Sequence, residues 1–108
     1  MDAGTARAEL GRAARTLEVP ARGDGPAATA AREALFALDL AVGELADVGV
    51  RPTPLIEGPD GAVATTLDHA GELLRGLATA AADQEADRRA AYARAALHVI
   101  EARAALDG

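Results

Sequence analysis

Two histidines each stand three residues ahead of a glutamate, in His69-Ala70-Gly71-Glu72 and His98-Val99-Ile100-Glu101. Imidazole and carboxylate one helical turn apart form the donor set with which some helical bundles hold paired metal ions. In those bundles the order is Glu-x-x-His and every group projects inward. Here the order is reversed. At roughly 100° per residue, His98 falls on a helical wheel with Asp87, Arg94 and Glu101, away from Tyr92 and Val99. His69 lies at the edge of its apolar stripe, and no third side chain stands out to orient either ring, as a metal ligand requires. Both are expected to be surface histidines, with no metal bound.

Carboxylates also come in groups: Glu44 with Asp47, Asp68 with Glu72, then Asp83, Glu85 and Asp87. Acid–base catalysis needs an environment that drives two pKa values apart, whereas these acids fall on solvated faces near helix starts or arginines. The chain has no Ser, Cys or Lys, which excludes the commonest covalent nucleophiles and leaves Thr, one Tyr, two His and the carboxylates. No glycine-rich phosphate loop follows a strand. Neither catalytic residues nor a cofactor are therefore expected, and the chain reads as non-enzymatic.

Half of the 108 residues are apolar, but 30 of them are Ala and only 13 are Leu. Burial stabilises by roughly 1.5–3 kcal/mol only for the larger side chains, so the core is thin. With no cysteine to staple it, self-association is the simplest reinforcement. The net charge is −6 and all eleven basic residues are scattered arginines, the opposite of the clustered cations that neutralise nucleic-acid phosphates. Anionic membrane surfaces are disfavoured for the same reason. The opening MDAGTARAEL lacks a signal-peptide core, and no run approaches the ~20 apolar residues of a membrane span. The expectation is a soluble, cytoplasmic protein. Its Ala, Arg, Gly and Pro bias points to a bacterium with a GC-rich genome.

The elements that must position these groups are helices. A first helix is expected over about 3–18, with Leu10 and Leu17 a heptad apart, ended by the breakers of VPARGDG. The second opens on Pro26, suited to a first turn, and runs to about Val48 on the stripe Leu35, Leu38, Val42 and Leu45. A third starts in TTLDHAGELL, with Thr65 as cap and Asp68 three residues on, and carries Leu67, Leu73, Leu74 and Leu77. The fourth covers about 83–107, with Tyr92, Ala96, Val99 and Leu106 inward and Ala93, Leu97 and Ile100 beside them. A tight break near Asp83 separates it from the third, because the two stripes are out of phase. One continuous helix of about 43 residues is the alternative. Arg103 falls within the stripe, its methylenes expected on the core and its charge at the bundle end.

The fold expected is all-α: one domain over 1–108, a four-helix bundle of two hairpins, 1–2 and 3–4, with a Pro-rich central connection. That connection, GVRPTPLIEGPDG at 49–61, is long enough either to cap the bundle or to run its length, and its Leu55 and Ile56 are expected to plug the core. The chain's one phenylalanine, Phe36, lies more than a quarter turn from the second helix's stripe. Leu40 is beside it, Gly43 permits close backbone approach, and Glu33, Glu44 and Asp47 form an acidic rim. Aromatics ringed by polar groups are common at interface centres. Phe36, Leu40 and Gly43 are therefore expected to meet a second copy in a two-fold homodimer, with the first helix as the competing cover. The functional expectation is a helical interaction protein that self-associates or docks on another helical protein. The alternative is a bundle that binds a small ligand or metal, with possible enzymatic activity.

Overall fold

The computed structural model describes residues 3–53, 62–81 and 85–107. Among the described residues there are four helices: α1 (Ala3–Ala21), α2 (Pro26–Asp47), α3 (Val63–Ala80) and α4 (Ala86–Asp107). No strand occurs among the described residues. Helices 3 and 4 are separate and pack on each other.

Helix boundaries follow local chemistry with two departures from expectation. α1 continues through Val19 and Pro20 to Ala21. Near the end of a helix a proline sacrifices only one hydrogen bond, and the last turn closes on Pro20 itself, whose carbonyl accepts from the Gly23 N–H at 3.1 Å. α3 starts two residues before Thr65, after Ala62, with no side-chain cap. Thr65 is thus already helical and exposed, while Thr66 is buried and its hydroxyl donates to the Ala62 carbonyl. Asp24-Gly25-Pro26 performs as expected: Gly25 adopts φ 98°, open to glycine at little cost, and Pro26 begins the helix.

The four helices form a ring. α1 packs on α2 and α3, and α4 packs on α2 and α3; the diagonal pairs do not touch among the described residues. Every neighbouring pair is antiparallel. Pro26 and Thr29 at the start of α2 line a groove with Ala104 and Ala105 at the end of α4. Glu44, near the end of α2, meets Arg94 at 2.8 Å. Asp68 early in α3 meets Arg103 late in α4 at 3.2 Å. α2 and α3 therefore point the same way. After α2 the chain is tied to the start of α1: Arg7 donates to the Val50 carbonyl, and the Thr53 N–H donates to the Gly4 carbonyl at 3.1 Å. Val63 starts at the other end of the bundle, so the chain changes ends between Thr53 and Val63, the topology of a bundle with one long crossover. Leu55 and Ile56 lie outside the described residues.

The core is assembled from Leu10, Leu38, Leu45, Leu67, Leu74 and Val99, all fully buried, with alanines from each helix between them. Small side chains let the axes approach, which is how so few large residues fill the interior. Gly71 contributes to this: a Cβ there would lie 3.5 Å from the Val99 side chain. α4 departs from the expected packing. Ala91, Ala95 and Ala102 are buried with Tyr92, Ala96 and Val99, whereas Leu97 and Ile100 are exposed. The helix turns its alanine-rich side to α2 and α3, where it fits closely, and leaves two larger aliphatics outside.

Candidate functional site

The two histidine–glutamate motifs do not converge. His69 turns from Glu72 and faces α1, where its Nδ1 lies 2.8 and 2.9 Å from the two carboxylate oxygens of Glu9. With a carboxylate as acceptor, Nδ1 is the donor. Glu9 is almost wholly buried, and His69 gives it the partner that a buried carboxylate needs. His98 makes only a 3.4 Å contact to Glu101 within its own helix. Among the described residues no group of three or more His, Asp or Glu could hold a metal ion. The Glu9–His69 pair is a joint between α1 and α3, and His69 also borders an open groove of about 530 Å³ with Glu72, Leu73, Gly76 and Leu77.

A second polar cluster lies in the groove between α3 and α4. Arg103 donates from Nε to Asp68 at 3.2 Å and also bonds Asp107 one turn on. The hydrogen bond to Asp107 is the largest influence holding the Arg103 guanidinium above its usual range; desolvation opposes it and Asp68 adds to it. The groove encloses about 450 Å³ and also presents Glu72, Arg75 and Ile100. Arg103 thus lays its stem beside Leu67 and Val99 and emerges to two carboxylates, as expected of a long cation in an apolar stripe. Its charge is satisfied within the chain.

The remaining feature is apolar. Phe36 is 69% exposed and Leu40 40% exposed. α1 does not cover Phe36, because α1 and α4 occupy the flanks of α2 and leave its outward side open. Gly43 is on the same side, with open space where a side chain would begin. On α4, Leu97 is 59% and Ile100 50% exposed. Since α2 and α4 run antiparallel and Glu44 meets Arg94, at ~1.5 Å per residue Leu40 is level with His98 and Phe36 with Ala102. Four large apolar side chains therefore lie at similar heights on two adjoining helices, with Ile100 bordering the groove to α3. Of the described large hydrophobics exposed to this degree, only Val19, at the end of α1, lies apart from them.

No protein-family model matches the chain, and no curated protein or solved structure matches it either. Among the described residues no helix is long and apolar enough to cross a membrane.

Sequence reasoning placed Phe36, Leu40 and Gly43 on the open side of α2. It missed Leu97 and Ile100, whose exposure depends on which apolar side of α4 enters the bundle. It also missed Glu9, an acid among Ala6, Leu10 and Ala13 whose partner is 60 positions away.

Proposed function

We propose that the protein is a cytoplasmic, non-enzymatic helical interaction protein that forms a homodimer through the outer face of α2 and α4. Phe36 and Leu40 make the contact, and Gly43 admits a partner's backbone beside them. The observation that carries this reading is the similar height of Phe36, Leu40, Leu97 and Ile100, all outside a bundle short of large apolar residues. Large apolar side chains left exposed together favour association surfaces, and Arg94 with Glu44 supplies a polar margin of the type that surrounds them. A small-ligand role draws less support, because the α3–α4 groove meets its own charges.

Light scattering on the purified protein and on Phe36→Asp tests the proposal. The expected result is a dimer for the wild type and a monomer for the variant. A monomeric wild type, or a dimer that the substitution leaves intact, would overturn it.

A further inference from the structure

α4 is apolar on two opposite sides. Tyr92, Ala95, Val99 and Ala102 face the bundle. A second row, Ala86, Ala90, Ala93, Leu97, Ile100 and Ala104, recurs at alternating spacings of four and three. That alternation averages ~3.5 residues, the seam of a coiled coil, in which each side chain enters a hole on a facing helix. Most of the row points outward: five of its members are exposed and Ala90 is half-buried, while Ile100 and Ala104 also border the groove to α3 and Ala104 the groove to α2. Among the described residues α4 packs on α2 and α3 alone, which leaves most of this second row without a neighbouring helix.

The charges beside the row select what covers it. Arg94 and Glu101 flank it on one side, a heptad apart and opposite in sign, and their side chains are 54% and 62% exposed. We infer that the occupant is α4 of a second copy, laid antiparallel across a two-fold axis between Leu97 and Ile100. This inference rests on the self-association proposed above and specifies its geometry. In it Leu97 packs on the partner's Ile100, Arg94 meets the partner's Glu101, and Glu101 meets the partner's Arg94. Flanking charges of this kind set the orientation of paired helices. A parallel pair would instead set Arg94 beside the partner's Arg89, like against like. Arg94 bonds Glu44 through Nε, which leaves its terminal nitrogens for the partner, and among the described residues Glu101 has the long contact to His98. The four alanines of the row let the two axes come to the short end of the usual ~8–10 Å.

The chain contains no cysteine, so a single introduced thiol reports its own distance to the partner. Leu97→Cys and Ile100→Cys place it beside the axis, and Ala86→Cys places its two copies ~35–40 Å apart along antiparallel helices. Under mild oxidation, positions 97 and 100 are expected to give a disulfide-linked dimer and position 86 none. Glu101→Arg is expected to raise the dissociation constant about tenfold. Cross-linking at 86 as strong as at 97 would replace the antiparallel pair with a parallel one. No cross-link at 97 or 100, with light scattering still showing a wild-type dimer, would refute the α4 seam and leave self-association standing. A wild type that is monomeric at every concentration would remove both.

Discussion

Leu97→Ala separates folding from association. Leu97 is 59% exposed, and Ala is the better helix former, so the isolated chain should fold as before. Burying what remains exposed of Phe36, Leu40, Leu97 and Ile100 amounts to about two whole side chains per protomer. That is on the order of 3–6 kcal/mol, or ~6–12 kcal/mol for a two-fold pair. Lost translational and rotational freedom opposes association by ~4–15 kcal/mol, which leaves a dissociation constant of about micromolar or weaker. Leu97 enters such a dimer twice. Truncating it removes ~2–3 kcal/mol of the gain, a weakening of roughly 30- to 200-fold. Sedimentation velocity across a concentration series reads this directly, with circular dichroism confirming an unchanged helix content. A dissociation constant that moves by less than about threefold would refute the placement of Leu97 in the contact.

Other outcomes follow from the interior. Gly71→Ala and Gly76→Ala should each stabilise by ~0.5–1 kcal/mol, since a Cβ meets Val99 at an ordinary 3.5 Å in the first and nothing within 4 Å in the second; a lower urea midpoint for Gly71→Ala would mean that α3 and α4 approach more closely than described. His69→Ala leaves the buried Glu9 carboxylate without its partner and should destabilise by ~1–3 kcal/mol, whereas the half-buried His98, with its long contact to Glu101, should cost less on replacement by Ala; equal urea midpoints for the two variants would contradict the Glu9 joint. Elemental analysis of purified protein should find no stoichiometric zinc or iron, and a metal signal abolished by His98→Ala would reverse that reading.

The hairpins and the α2 stripe were legible because Leu38 and Leu45 recur at helical spacing between strong breakers, and α2 has one apolar side to bury. Phe36 and Leu40 were legible for the same reason: once that side is assigned, they can only face out. α4 was not legible in this way. Periodicity places Tyr92, Ala96 and Val99 inward, and they are buried, but it sets Leu97 and Ile100 beside them. The bundle instead widens the buried side with Ala91, Ala95 and Ala102, because closeness of fit to α2 and α3 decides, and that is a property of the neighbours. Thr65 reads as a cap from its own residues alone, yet α3 begins a half-turn earlier. Glu9 reads as a solvated acid until α3 brings His69 to it.

The antiparallel ring also has an electrostatic consequence. Among the described residues, only α4, through Asp87, carries an acid in its first turn, and no helix carries a base in its last. Each helix therefore leaves the partial positive charge of its amino end and the negative charge of its carboxyl end largely without compensation from side chains. In this topology each amino end stands beside the carboxyl ends of two neighbours, so the macrodipoles of the four helices offset one another through the backbone itself. The change of ends between Thr53 and Val63 makes this possible. Had the chain re-entered at the end where it left, α3 would lie parallel to its neighbour α1 and α4 parallel to its neighbour α2, and like ends would adjoin.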